Sequence, residues 1–235
     1  MKIERHEIGV EKTSLVVIDD CLPNAQLAVE IAAGLHPFPP ELNFAYPGQR
    51  HDLRPDHRAG AAYAQALVHA AGPTLAEVYG PASFQIGAAS FSVVTQRPAE
   101  LTTVQRLPHT DSYDGNFIAL LHNLHHHHNT GTAFYRHRRT GFERVSEERR
   151  PALEAAWAQD RLEFGEPKQD FFGASDSRYE QIYSVEARFN RLLIYQGSLF
   201  HSAVIPADFD YDPNPRSGRL MGMVCLIASP AAGAV

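Results

Sequence analysis

Cysteine, positive charge and long apolar stretches are all scarce in this sequence of 235 residues. The two cysteines, Cys21 and Cys225, are too few and too distant to build a disulfide framework, so we expect packed, reduced thiols. No apolar run approaches the length of a membrane span, and the first residues lack a secretory hydrophobic segment, so we expect a cytoplasmic protein without a membrane partner. The formal net charge of −6 gives no sign of a nucleic-acid-binding surface, so we expect no nucleic-acid partner.

The composition is nevertheless that of a folded protein. Hydrophobic residues make up 44% of the chain and charged residues 20%, which provides enough apolar surface for a buried core. Barrels and sandwiches of this length commonly form one unit. We therefore predict a single domain over residues 1–235.

The first part of the sequence predicts one strand followed by helices. Residues 14–19 are β-branched and apolar, which favours a strand, and apolar residues recur at helical spacing over 27–35. Residues 37–55 are rich in proline, glycine and aromatics, which predicts an irregular segment that could line a pocket. Asp56 is placed to cap a helix, and Pro73 to begin a second one. We expect these helices to pack outside a sheet.

From residue 84 onwards the sequence is dominated by short strand patterns. The predicted strands cover residues 84–87, 89–94, 101–107, 116–123, 130–136, 181–185, 191–195 and 219–227. One helix, over residues 151–163, interrupts them and begins with a proline that suits a first turn. Helices first and short strands afterwards predict an α+β fold with a β-sandwich or jelly-roll core.

A histidine and a carboxylate two residues apart, His109 and Asp111, are the starting point for a chemical site. On an extended chain their side chains point to the same face, so both can bind one metal ion. The spacing alone is weak evidence, because a chain with 13 histidines contains such pairs by chance. His201 is the natural third ligand, since the strands of a jelly roll could return it to a position opposite the pair. Two imidazoles and one carboxylate form the facial set that leaves positions of Fe(II) open for chemistry.

Arg219 leads an apolar strand, where the two-residue period places it on one face with Met221 and Met223. A cation in such a position requires a partner, and a bidentate guanidinium–carboxylate pair would supply one. The far carboxylate of a dicarboxylate co-substrate that chelates iron would meet this requirement. Arg216, in the adjacent loop, is the alternative anchor.

In this order, the His-x-Asp pair, the later histidine and the arginine resemble the site residues of the 2-oxoglutarate/Fe(II)-dependent oxygenases. Two further segments agree with the resemblance. Residues 16–22 are similar to the opening strand of prolyl-hydroxylase-like bacterial members, and residues 129–134 to the Gly-rich turn and strand after their His-x-Asp loop. The similarity spans residues 14–228. It implies a double-stranded β-helix core, the jelly roll also found in cupins, with the N-terminal and inserted helices packed outside.

Two positions depart from the common pattern of that superfamily. Many relatives have serine or threonine two residues after the arginine, where this chain has Met221. Many also have tyrosine on the strand after His-x-Asp, where Leu120 or Leu121 falls. His122, on the same strand, is therefore a candidate to replace the tyrosine as a co-substrate contact. Gln105 precedes the metal loop, and alternation along the chain predicts that it points toward the pocket as a second co-substrate contact.

Two histidine-containing runs are interpreted as surface features. Four consecutive histidines at residues 125–128 face different directions and lack the fixed spacing of a metal site, which favours a solvated loop. The Arg-His-Arg-Arg run at residues 136–139 is most simply a solvated turn, although at the rim of a pocket it could attract an anionic substrate.

The resemblance implies an oxygenase with Fe(II) on His109, Asp111 and His201 and with 2-oxoglutarate held by Arg219. Such an enzyme converts 2-oxoglutarate to succinate and carbon dioxide and hydroxylates a C–H bond of its substrate. The substrate is a small molecule or a peptidyl group that the sequence does not identify, and a homodimer remains an option. Two alternatives stay open: a cupin-like metal protein without 2-oxoglutarate turnover, and a degenerate, non-catalytic member that binds a ligand or partner.

Overall fold

Two antiparallel sheets form the framework of the computed structural model, which describes residues 1–40, 46–80 and 82–230. Within these residues the larger sheet contains β1 (Lys2–Ile8), β2 (Thr13–Asp19), β3 (Gly48–Asp52), β4 (Ala82–Val94), β5 (Phe117–Asn123), β8 (Arg191–Gln196) and β10 (Leu220–Pro230). Their order is β1-β2-β8-β5-β10-β4-β3. The smaller sheet has the order β7-β6-β9 and contains β6 (Gly131–His137), β7 (Tyr179–Glu186) and β9 (His201–Val204). The α-helices are α1 (Ala25–Gly34), α2 (Arg58–Tyr79) and α3 (Arg150–Phe164).

The central strands of the larger sheet, β2, β8, β5 and β10, bury apolar side chains on both faces. On β5, Leu120 packs in the core that the sheet forms with α1 and α2, whereas Ala119 faces the smaller sheet and packs with Phe134 of β6. Helix α3 covers the outer face of the smaller sheet, where Leu153 and Tyr135 share a third core. Because both faces of these strands are covered, their sequences are nearly continuous apolar runs. The predicted α+β fold, with helices packed outside a jelly-roll core, is confirmed.

One predicted strand is absent from the structure, and the structure contains strands that were not predicted. Residues 101–107 do not form a strand, because Gln105 accepts a hydrogen bond from the Thr102 backbone N–H (2.9 Å) and stabilises a short 3-10 turn, Val104–Arg106. Strand β1 was not predicted, since its alternating charged residues are typical of an exposed edge strand. Strand β3 replaces part of the irregular segment predicted over 37–55, of which residues 41–45 lie outside the described residues.

The two helices predicted between Asp56 and Tyr79 are a single helix, α2, with Pro73 in its interior. Proline removes only one backbone hydrogen bond, and the buried face continues past it through Leu67, Ala71 and Leu75. Helical continuity is therefore maintained by packing against the sheet. The predicted helix over 151–163 matches α3.

Both cysteines are buried and unpaired, as predicted. Burial raises the pKa of each thiol to about 12, so both are packed as neutral groups. Among the described residues, no helix combines the length and the apolar character needed to cross a membrane.

Candidate active site

The three predicted metal ligands are brought together by backbone pairing between distant segments. His109 and His201 form an antiparallel bridge, in which each backbone N–H donates to the other residue's carbonyl at 3.0 and 2.9 Å. The backbone N–H of Asp111 donates to the carbonyl of Gly197 at 2.8 Å. Glycine is required there, because a Cβ on Gly197 would lie 2.3 Å from the ring of Phe117. The ligand segments are thus fixed by main-chain hydrogen bonds at the entry to β9.

The side chains of this histidine–aspartate–histidine set converge on one point. Their ligand atoms all lie within 4.8 Å of one another, close enough to hold a metal ion. His109 Nε2 lies 3.9 Å from Asp111 Oδ1, and His201 Nε2 lies 3.6 Å from Asp111 Oδ2. These separations exceed hydrogen-bond distances, so the carboxylate is adjacent to both imidazoles but is not hydrogen-bonded to either of them.

The donor chemistry fits a divalent cation. His201 Nδ1 lies 2.9 Å from the carbonyl oxygen of Leu199, which can only accept, so Nδ1 carries the proton and Nε2 presents its lone pair. Asp111 Oδ2 is buried and has no hydrogen-bond partner among the described residues. Burial raises the pKa of Asp111, and burial together with the charges of His201 and Arg50 lowers the pKa of His109 to about 3. A cation bound at this point would balance the charge of the Asp111 carboxylate and accept lone pairs from the two imidazole rings.

The three ligands line a cavity of about 330 Å³ between the two sheets. Arg219 lines the same cavity, as do Met221 and Met223, so the predicted shared face of this strand is confirmed. The guanidinium of Arg219 is 2% exposed and donates from Nη2 to the Gly131 carbonyl at 3.0 Å. Its Nε has no partner, and no carboxylate pairs with it within the described parts of the chain. The cavity therefore contains a desolvated cation that no carboxylate of the described residues pairs with.

Arg216, the alternative anchor, lies elsewhere. Its guanidinium is exposed and pairs with Glu30 of α1 at 2.6 Å. It does not line the cavity.

His122 does not contact the cavity, which corrects the prediction that it replaces the missing tyrosine. The two-residue period of β5 places Leu121 in the cavity and turns His122 toward α2. There His122 Nδ1 accepts from the Tyr63 hydroxyl at 3.0 Å, and Nε2 donates to Asn190 Oδ1 at 3.1 Å. Burial lowers the pKa of His122 to about 4, so it is a neutral structural imidazole.

Gln105 lines the cavity, as predicted, but its amide is already engaged. Nε2 donates to the Tyr46 carbonyl at 3.1 Å and to Gln96 Oε1 at 2.8 Å, while Oε1 accepts from the Thr102 backbone. Both amide protons are used, so Gln105 has none left to donate to a co-substrate. Its contribution is to hold the segment around Tyr46 against the cavity.

The two runs interpreted as surface features are partly buried. His125 is buried near Arg219, and burial followed by the charge of Arg219 lowers its pKa to about 2, while His126 is exposed and stacks on Phe189. His137 is fully buried, and its Nε2 lies 2.8 Å from Asp160 of α3. Neither run is wholly solvated, because His125 in the first run and His137 in the second are buried.

Two tyrosines of the cavity were not singled out from the sequence. Tyr195, on β8, lines the cavity with its ring 5.0 Å from that of His201. Tyr46 lines the end near Arg219 and precedes β3, in a segment without periodicity. The only sequence signal for Tyr46 was its place in the segment expected to line a pocket.

Comparison with solved structures defines the class of fold. SnoN, a non-heme alpha ketoglutarate dependent epimerase from nogalamycin biosynthesis, is 13% identical, with 96% of this chain and 88% of that chain covered and a TM-score of 0.53. SnoK, a carbocyclase from the same biosynthesis, is 11% identical over 93% and 82%, with a TM-score of 0.52. HygX from Streptomyces hygroscopicus, with nickel, 2-oxoglutarate and hygromycin B bound, is 11% identical over 92% and 84%, with a TM-score of 0.51. The chain therefore has the double-stranded β-helix fold of the non-heme 2-oxoglutarate-dependent enzymes, as the sequence resemblance implied.

Sequence comparison identifies the family. The chain belongs to a protein family of unknown function, DUF6445, whose sequence model matches residues 1–224. No curated protein matches the chain.

Proposed function

We propose that this protein is an Fe(II)- and 2-oxoglutarate-dependent oxygenase that hydroxylates a C–H bond of a small-molecule or peptidyl substrate. One observation carries the proposal: a histidine–aspartate–histidine set and a buried arginine without a carboxylate partner among the described residues line the same cavity. A metal-chelating dicarboxylate satisfies both features at once. The similarity to HygX, which binds 2-oxoglutarate, supports this choice of co-substrate.

His109, Asp111 and His201 would hold Fe(II) on one face and leave its other positions to ligands. Bound there with 2-oxoglutarate, the iron supplies dioxygen activation, with the co-substrate oxidised to succinate and carbon dioxide. The hydrogen bond from His201 to the Leu199 carbonyl fixes the ring orientation before metal binds. In halogenating relatives a small residue replaces this carboxylate and so admits chloride, and the presence of Asp111 therefore favours hydroxylation over halogenation.

Arg219 would bind the far carboxylate of 2-oxoglutarate. Its guanidinium is already desolvated and fixed by the bond to Gly131, so little ordering is required when the anion arrives. Leu121, Met221 and Met223 contribute apolar surface to the same cavity. A charge-assisted pair in such surroundings is stronger than one at the surface.

The chain offers a matched pair of variants that tests this role. Arg219→Met removes the buried charge, and Arg216→Met removes an exposed one that pairs with Glu30. Arg219→Met should weaken 2-oxoglutarate binding by roughly 2–5 kcal/mol, or about 30-fold to several-thousand-fold, while leaving Fe(II) affinity unchanged. Arg216→Met should bind 2-oxoglutarate like the wild type. Anaerobic calorimetry of the Fe(II)-loaded proteins measures both affinities, and equal 2-oxoglutarate affinity in Arg219→Met and wild type would contradict the assigned role.

A further inference from the structure

Two hydrogen-bond donors at the Arg219 end of the cavity are buried and unused. Arg219 Nε and the Tyr46 hydroxyl oxygen each lack a hydrogen-bond partner in the described part of the chain. Both residues line the cavity, and Ser92 of β4 lies beside them. A buried polar group without a hydrogen-bond partner is unfavourable, so two such groups together indicate a ligand that accepts from both.

We propose that the Tyr46 hydroxyl and the Arg219 guanidinium together bind the far carboxylate of 2-oxoglutarate. Tyr46 is then a co-substrate-binding residue supplied from the segment before β3. This inference rests on the proposed function and names a residue that the sequence resemblance does not contain.

The strand positions expected to supply the second donor are apolar in this chain. Leu121 on β5 and Met221 on β10 both line the cavity but cannot donate a hydrogen bond. His122, the predicted substitute, faces α2. Among the described residues, Tyr46 is the cavity-lining tyrosine that lies beside Arg219, so its hydroxyl is placed to replace the missing donor.

The position of Tyr46 is fixed by several contacts. Its carbonyl accepts hydrogen bonds from the Gly48 backbone N–H at 3.0 Å and from Gln105 Nε2 at 3.1 Å. The guanidinium of Arg50 lies 5.0 Å from the centre of its ring, in cation–π geometry. The ring is therefore held in place before a ligand binds, which limits the entropy lost on binding.

The protonation of Tyr46 suits a donor to an anion. Burial raises its pKa, and the nearby charge of Arg219 only partly opposes this effect, so the phenol keeps its proton at neutral pH. A guanidinium has no acceptor atom, so Arg219 cannot accept the phenol proton. The Ser92 hydroxyl beside Tyr46 is a neutral acceptor and makes a weaker hydrogen bond than a carboxylate would. A carboxylate has two oxygens and can accept from the phenol and the guanidinium at the same time.

Tyr46→Phe tests the inference because it removes one oxygen and keeps the ring. Tyr79→Phe is the matched control, since the Tyr79 hydroxyl is also buried without a partner but does not line the cavity. The ligands are 2-oxoglutarate and 2-oxopentanoate, which has a methyl group in place of the far carboxylate. Anaerobic calorimetry on the Fe(II)-loaded proteins gives the dissociation constants, and Fe(II) affinity and thermal unfolding report whether each variant is intact.

We expect Tyr46→Phe to bind 2-oxoglutarate about 10- to 150-fold more weakly than wild type, the range for a hydrogen bond to a charged group. Its affinity for 2-oxopentanoate should be unchanged, and Tyr79→Phe should match wild type with both ligands. Unchanged 2-oxoglutarate affinity in Tyr46→Phe would overturn the role of Tyr46 and leave the oxygenase proposal standing. Equal losses for both ligands would also overturn it, because they indicate a general effect on the cavity. If wild type itself does not bind 2-oxoglutarate, the proposed function fails together with this inference.

Discussion

Among the individual residues, His201 shows most directly how the backbone prepares a side chain for metal binding. Its Nδ1 donates to the Leu199 carbonyl, which leaves Nε2 as the only ring nitrogen available to a cation. The neighbouring Asp111 oxygen, Oδ2, has no hydrogen bond among the described residues. Both atoms are therefore available to bind a metal ion.

Removing any one of the three ligands should therefore abolish stoichiometric Fe(II) binding. Loss of a group that only orients a ligand typically costs 10–100-fold in metal affinity, so loss of a ligand should cost more than about 100-fold. We expect this of His109→Ala, Asp111→Ala and His201→Ala, with the fold retained. Calorimetric Fe(II) titration measures it, with His126→Ala as the control, since His126 is exposed in the loop after β5. A variant that binds Fe(II) as tightly as wild type would remove its residue from the set.

The residues of the co-substrate end were harder to predict. His122 and Leu121 are adjacent on β5, and a strand's two-residue period decides which one faces the cavity. The sequence contains no independent marker of that register, because both faces of the strand are covered by apolar residues. Tyr46 lies in a segment without periodicity, so only the folded chain shows that its hydroxyl lies beside Arg219.

At the level of elements, a polar connection joins α2 to the larger sheet. The Tyr63 hydroxyl packs against Gly222 of β10 and donates a hydrogen bond to His122 of β5. His122 and Gly222 are opposite each other in the pairing of β5 with β10. His122 in turn donates to Asn190, whose side chain also accepts from the Leu22 backbone N–H at 3.0 Å. This chain of hydrogen bonds explains a buried histidine on an otherwise apolar face.

The close approach of Tyr63 to Gly222 leads to a stability prediction. A Cβ at residue 222 would lie 1.9 Å from the Tyr63 hydroxyl oxygen, so Gly222→Ala must displace α2 or the tyrosine. We expect a loss of about 1–3 kcal/mol in the free energy of unfolding, measured with urea. Fe(II) affinity should be unchanged, because Gly222 and Tyr63 do not line the cavity. In the Tyr63→Phe background the cost should be smaller, since the closest atom is absent. Equal costs in both backgrounds would show that the hydroxyl is not the obstacle.

Among the elements, the long apolar strands and the amphipathic helices were predictable. The strands β5, β6, β8 and β10 matched their predictions because they are apolar runs rich in β-branched, aromatic and other strand-compatible residues, and α3 matched because its apolar residues recur at helical spacing. Strand β9 was not predicted, because it has only four residues and its pairing with β6 comes from a distant part of the chain. The single helix through Pro73 depends on contacts with the sheet, which local sequence preferences do not report.

In the molecule as a whole, the candidate chemistry lies between the two sheets, next to the apolar core that contains Ala119 and Phe134. The apolar cores with α1, α2 and α3 lie on the outer faces, and the cavity lies between the sheets. The ligand set and Arg219 come from segments up to 110 residues apart, counted from residue 109 to residue 219, and only the antiparallel winding of the jelly roll places them in one cavity. The resemblance predicted the order of these residues along the chain, but only the folded structure shows that they line one cavity.

The central claim is that this cavity couples Fe(II) to the oxidation of 2-oxoglutarate. The most direct measurement is succinate formation by Fe(II)-loaded wild type incubated aerobically with 2-oxoglutarate and no other substrate, with ascorbate present as the two-electron reductant that completes each turnover. We expect slow succinate production, matched by dioxygen consumption, that is absent in metal-free protein and in Asp111→Ala. No succinate above the level of these two controls, together with no binding of 2-oxoglutarate by the Fe(II)-loaded protein, would contradict the account.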